Sequence, residues 1–177
     1  MSGPDAAPEV VTLGETMALL STPGIGLLRH ANRLDLSCGG AESNLAIGVA
    51  RLGHRAAWVG RIGADEFGAL VRRSIAAEGV DCRATVDPDA PTGLMVKSRR
   101  TQTVTQVTYY RSGSAGSRLG PDDVDPALIA GARVLHVTGI TPALSPSARA
   151  AVRFAIATAR DAGVPVSLAL NYRRALW

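Results

Sequence analysis

Four short apolar runs set the limits on what this chain can become: Val10-Val11-Thr12-Leu13, Ala56-Ala57-Trp58-Val59-Gly60, Arg133-Val134-Leu135-His136-Val137 and Pro165-Val166-Ser167-Leu168-Ala169-Leu170. Each has the length of a strand, and each is apolar enough to be covered on both faces. Between them lie segments with helical periodicity. The first opens at Glu42 and carries apolar residues at 45, 46, 49, 50 and 52; the second starts at Gly63-Ala64-Asp65-Glu66, keeps Phe67, Leu70, Val71 and Ile75 on one face and stops at Gly79. In a third, Ser145 stands as N-cap with Pro146 at the first helical position, and the helix runs to Gly163. Strand and helix alternating in this way predict an α/β fold, a parallel sheet with crossover helices.

The alternation breaks where the residues turn to β-formers of mixed polarity. Gly93-Leu94-Met95-Val96 and Thr103-Val104-Thr105-Gln106-Val107-Thr108-Tyr109-Tyr110 read as antiparallel strands with one face exposed or turned to a ligand. Residues 23–37 form an irregular or edge-strand region, Gly113-Ser114-Ala115-Gly116-Ser117 a flexible loop, and Pro121-Asp122-Asp123 the start of a short helix toward Ala130. Gly24-Ile25-Gly26 lacks the third glycine and the strand-turn-helix setting of a dinucleotide fingerprint. A nucleotide-binding Rossmann domain is therefore a poor reading.

At 177 residues, with 46% hydrophobic and 19% charged, the chain can bury one sizeable core. Residues 1–8, with two prolines and no periodicity, read as a disordered tail, so the expected domain is 9–177. No apolar run approaches the roughly 20 residues of a membrane span, and the first residues lack the basic start and apolar stretch of a signal peptide. The expectation is a cytoplasmic protein with no membrane partner. Cys38 and Cys82 stand in no metal or redox spacing and read as reduced. The net charge is +4, but the basic residues are nearly all arginine and are spread along the chain, so nucleic acid is not expected. Only 90–121 is lopsided: Lys97, Arg99, Arg100, Arg111 and Arg118 occur there with no acid. That composition suits an anionic ligand, or equally a solvated pair of arginine-decorated strands.

Cys38-Gly39-Gly40-Ala41-Glu42-Ser43-Asn44 is a turn feeding a helix. Its glycines let backbone approach a ligand, the helix start aims N–H groups at that place, and Asn44 adds a donor and an acceptor. On these residues alone the turn is either a small-ligand site or only a tight connection.

The order and spacing of Gly39-Gly40, Asn44, Ala46, Gly53 and Gly63 resemble the N-terminal signature of the ribokinase-like (PfkB) sugar kinases, with Glu42 where the strict pattern has a small residue or proline. Gly-Gly-Ala-Glu at 39–42, Tyr-Tyr-Arg-Ser-Gly-Ser-Ala-Gly-Ser at 109–117, Gly-Ile-Thr-Pro-Ala-Leu-Ser at 139–145 and Asn-Tyr-Arg at 171–173 are similar to one branch, the 2-keto-3-deoxygluconate kinases. The resemblance covers 10–177. It implies ATP-dependent phosphorylation of a sugar or sugar acid hydroxyl with ATP and Mg²⁺ as cofactors, a small antiparallel β-lid with strands near 22–38 and 92–112, and pairing of two copies through that lid. By resemblance Gly40, Ala41 and Asn44 hold sugar oxygens, Tyr110 and Arg111 reach from the lid, Arg173 meets the substrate carboxylate and Asn171 lies near the nucleotide phosphates. Asp65 is either substrate-facing or a helix cap, Tyr109 and Tyr110 are either ligand contacts or lid packing, and His136 belongs to the core.

Three departures qualify the resemblance. Met95 stands where the family often has a tyrosine, and Ala169-Leu170-Asn171-Tyr172-Arg173 replaces Asp-x-Asn-x-Arg. The family's Gly-Ala-Gly-Asp turn, with its aspartate base and anion-binding N–H groups, does not occur in the chain, nor does the nucleotide-binding half of the sheet. No catalytic base or metal ligand is therefore assigned, and the chain by itself is expected to be an inactive, N-terminal portion of such a kinase. The alternative is a non-catalytic sugar-acid-binding or interaction module.

Overall fold

The computed structural model describes residues 7–177. Most of the tail expected at 1–8 lies outside these; Ala7 is held, its carbonyl accepting from Arg55 Nε at 2.9 Å. In chain order the elements are β1 (Val10–Leu13), β2 (Met17–Ile25), β3 (Asp35–Gly39), α1 (Ala41–Arg51), β4 (Ala56–Gly63), α2 (Glu66–Ala77), β5 (Asp81–Asp87), β6 (Leu94–Arg99), β7 (Thr105–Tyr110), α3 (Pro126–Ala130), β8 (Val134–Thr138), α4 (Pro146–Asp161) and β9 (Val166–Ala169). Among the described residues no helix is long and apolar enough to cross a membrane.

The four apolar runs become β1, β4, β8 and β9 of a five-stranded, all-parallel sheet of order β5-β4-β1-β8-β9. Because successive side chains alternate across the sheet, the runs feed two cores. Val11, Leu13, Ala57, Val59, Leu135 and Val137 pack with Ala151, Val152, Ala155 and Ala159 of α4. Ala56, Trp58 and Ile62 pack on the opposite face with Ala46 of α1 and Val71 and Ile75 of α2. Each large apolar side chain so enclosed contributes about 1.5–3 kcal/mol. The helix ends are local: Asp65 accepts from the Gly68 N–H and Ser145 from the Ala148 N–H, while Gly79 and Gly163 follow α2 and α4 at positive φ.

The second layer differs from the expected antiparallel lid. Its order is β3-β2-β6-β7, with β2 antiparallel to β3, β6 antiparallel to β7, and β2 parallel to β6. It is a mixed sheet, because β2 and β6 both leave the core sheet in the same direction. The lid also begins earlier than expected, at Met17, and its first strand, β2, is interior, with the register shifting between Ser21 and Ile25 around Pro23, while β3 forms an edge. β5 has no counterpart among the expected strands. The short helix expected toward Ala130 is split into a 3₁₀ turn, Pro121–Asp123, and α3. His136 is buried as expected, but its Nδ1 meets Ser167 Oγ at 3.0 Å, so it has a polar partner that the chain alone did not indicate.

Candidate functional site

Three strand ends and a helix start meet where the lid joins the core sheet. Gly40 is the N-cap of α1 and carries no side-chain oxygen to cap it, so α1 begins with its N-terminal turn facing open space. A Cβ on Gly40 would lie 2.5 Å from the Glu15 carbonyl and 2.7 Å from Thr16 Oγ1, so only glycine lets β3 pass this close to the β1–β2 connection. Ser43 stitches the turn together, accepting from Thr16 Oγ1 at 2.8 Å.

Over this turn lies a cavity of about 980 Å³, lined by Gly40, Ala41, Asn44, Arg111, Asn171 and Arg173 among others. Five of the seven expected substrate- and cofactor-facing residues thus come from α1 and its cap and from the segment after β9, one more from the end of β7. The seventh, Tyr110, is not brought there. Adjacent strand residues point to opposite faces, and Tyr110 is 62% exposed on the side away from the cavity while Tyr109 lines it together with Met95, its register partner. Arg111 lies 5.6 Å from the Tyr109 ring centroid, a cation–π distance. The lid tyrosine that faces this site is Tyr109.

Arg111 carries an internal counterion. Its Nε donates to Glu15 Oε2 at 2.8 Å and its Nη2 lies 2.5 Å from the same oxygen, with Glu15 buried. Arg118 similarly faces Asp87 at 3.6 Å. Two of the five basic residues of 90–121 are therefore met by acids from earlier in the chain, while Lys97, Arg99 and Arg100 have no carboxylate partner among the described residues. Arg173 differs from Arg111: it is exposed, its Nη1 reaches only the Tyr172 carbonyl at 3.4 Å, and among the described residues no carboxylate pairs with it. Asn171 stands at φ 39°, a left-handed conformation that asparagine tolerates.

Two carboxylates line the cavity without having been singled out as site residues, Glu15 and Glu42. Glu42 is 1% exposed and accepts from Thr138 Oγ1 and Thr141 Oγ1, both at 2.6 Å, so it ties α1 to the end of β8 and the turn after it. Burial pushes its carboxyl above the ordinary range, against the pull of those two hydroxyls. Ala169 sits in register beside Thr138, whose hydroxyl is already engaged by Glu42. Asp65 resolves to a structural role: besides capping α2 at 2.7 Å it accepts from the Thr92 N–H and Oγ1, both at 2.8 Å. Partial burial works to raise its carboxyl, but these bonds together outweigh burial and hold it below the usual carboxylate range. It does not line the cavity.

One edge of the core sheet is open. β9 is that edge, and Leu168 within it and Leu170 just after it are 61% and 76% exposed. Among the described residues no group of three His, Cys, Asp or Glu side chains is arranged to hold a metal ion. The donors lining the cavity, Asn44, Arg111, Asn171, Arg173 and Arg174 among them, fit a polar, anionic small molecule.

A family model described as pfkB family carbohydrate kinase matches residues 7–177. The chain is 39% identical over 98% of its length to a 2-dehydro-3-deoxygluconokinase of Thermoproteus tenax, and 37% identical over 96% to one of Bacillus subtilis (strain 168). It covers 53% of each of those proteins, so it spans about half the length of the curated relatives it matches. The crystal structure of 2-dehydro-3-deoxygluconokinase from Thermotoga maritima superposes with a TM-score of 0.90 at 31% identity, covering 97% of this chain and 53% of that one.

Proposed function

The chain belongs to the pfkB family of carbohydrate kinases, and on that premise we propose that it forms the sugar-binding side of an ATP-dependent kinase acting on a hydroxyl of a sugar acid of the 2-keto-3-deoxygluconate type, the compound also called 2-dehydro-3-deoxygluconate. The observation that carries the reading is Arg173: an arginine without a carboxylate partner among the described residues, in the same cavity as a glycine turn, a helix N-terminus and Asn44. An unpaired guanidinium suits a ligand carboxylate through charge-assisted, bidentate bonds. Relatives at 39% and 37% identity carry the name of a kinase for such an acid.

In this role the turn at Gly40 and Ala41 and the Asn44 side chain hold hydroxyl oxygens, Tyr109 and Met95 close the lid side over the sugar, and Arg173 orients the acid end. These residues bind, orient and shield. ATP, with Mg²⁺, supplies the phosphoryl group when bound, with Asn171 at the margin of its site. Phosphoryl transfer depends on positioning and electrostatic stabilisation of the moving group, and the chain carries no Gly-Ala-Gly-Asp turn for either. We propose the outer face of the lid for the pairing of two copies; the exposure of Leu36 and Tyr110, 53% and 62%, supports this reading.

Titration calorimetry of the chain with 2-keto-3-deoxygluconate and with neutral hexoses tests the reading. The acid should bind at least about tenfold more tightly, and Arg173→Ala should remove that preference, the size expected for one charge-assisted contact. No binding of the acid, or equal affinity for neutral sugars, would overturn it.

A further inference from the structure

We propose that Glu15 is a positioning residue for the sugar site: it fixes the guanidinium of Arg111 and cancels its charge, so that Arg111 serves uncharged oxygens of the ligand and leaves the carboxylate to Arg173. The proposal rests on the sugar-acid reading above.

Glu15 lies on the connection from β1 to β2, where the chain leaves the core sheet for the lid. It is a carboxylate at 3% exposure, and both its oxygens are used. Oε2 takes Nε and Nη2 of Arg111, and Oε1 accepts from Ser114 Oγ at 2.5 Å. Its slot is walled by glycines from two other segments: a Cβ on Gly93 would stand 2.6 Å from Oε1, and one on Gly116 would overlap Cγ. The strand leading into β6, the end of β7 and the loop after β7 are thus all built around this one side chain. A buried acid that only braced the lid would not need an arginine whose far edge faces the ligand cavity.

The geometry divides the guanidinium. Nε and Nη2 belong to Glu15 and one face is set against the Tyr109 ring, which leaves Nη1, without a hydrogen-bond partner among the described residues, as the donor available to the cavity. A guanidinium held along one edge loses little further freedom on binding. Its charge, however, is matched by a carboxylate in contact with it, so at the ligand it acts as an oriented hydrogen-bond donor more than as a net positive charge. Arg173 has no such match.

The test compares 2-keto-3-deoxygluconate with its methyl ester, a neutral ligand of nearly the same shape, in calorimetric titrations of the parent chain and of Glu15→Gln, Arg111→Gln and the double variant. Ester binding should weaken to a similar extent in both single variants, because each loses the positioned donor. The preference for acid over ester should rise in Glu15→Gln, where Arg111 is uncompensated, and fall in Arg111→Gln, where Glu15 is. Each change should be roughly tenfold, the size of one unit charge in a partly screened cleft. In the double variant the preference should return to the parent value, and that variant also covers the case in which a single variant with an unpaired buried charge does not fold. A preference that stays the same across the folded variants, or moves alike in both singles, overturns the proposal while leaving the sugar-acid reading standing. Failure of the parent chain to bind the acid overturns both.

Discussion

Glu42 is a carboxylate enclosed at the second residue of α1 with two threonine hydroxyls and, among the described residues, no ion-pair partner. Its carboxyl lies above the ordinary value of 4.5 because burial disfavours the charge. Stability from a group whose folded pKa is raised is complete below the ordinary value and is lost as pH rises through the raised one. Glu42→Gln keeps the acceptor for both hydroxyls and removes the charge. Its melting temperature should exceed the parent's at pH 8, and the gap should close as pH falls toward 4; a gap independent of pH, or a less stable variant at pH 8, would show that the carboxylate is not the strained group. Little of this was legible in the chain, where Glu42 reads as an ordinary acid in a first helical turn. The same holds for Glu15, whose partner Arg111 is 96 residues away. Pattern rules place a residue on an element and a face; they do not bring distant elements together. Where they apply, they discriminate: strand alternation alone already forbids Tyr110 and Arg111 from sharing a face.

Among the elements, the four apolar runs were legible because a strand covered on both faces needs a continuous run, and β1, β4 and β8 are interior strands. β5, Asp81-Cys82-Arg83-Ala84-Thr85-Val86-Asp87, is an edge strand with one neighbour and polar residues interleaved, and it lacks that signature. β2 was obscured by Pro23 and by the shift in its register. At the opposite edge β9 is apolar and bare: Val166, Leu168 and Leu170 are 36%, 61% and 76% exposed, and its outer backbone groups pair with no strand among the described residues. Such an edge is a template for another chain. Sedimentation of the chain should show association that grows with concentration, and Leu168→Lys should suppress it while leaving the melting temperature within a few degrees. If Leu168→Lys leaves the association unchanged, the β9 edge is not its seat.

At the scale of the whole molecule, the parallel sheet, the presence of a lid, the family and the partial coverage were legible, because they follow from periodicity and from motifs in fixed order. The mixed pairing of the lid was not, since strand direction is set by where distant segments leave the core sheet. On the proposed reading the chain carries the cavity for a sugar acid, with Arg173 as the residue that meets its carboxylate, while the Gly-Ala-Gly-Asp turn with its base and anion-binding N–H groups does not occur in the sequence. This division of labour is tested by a coupled assay of ADP release from ATP and Mg²⁺ with 2-keto-3-deoxygluconate, on the 177-residue chain purified free of host kinases. No release above the rate without sugar is expected. Release that persists through purification, depends on the sugar acid and is abolished by Arg173→Ala would contradict it, because the chain would then contain a complete kinase site.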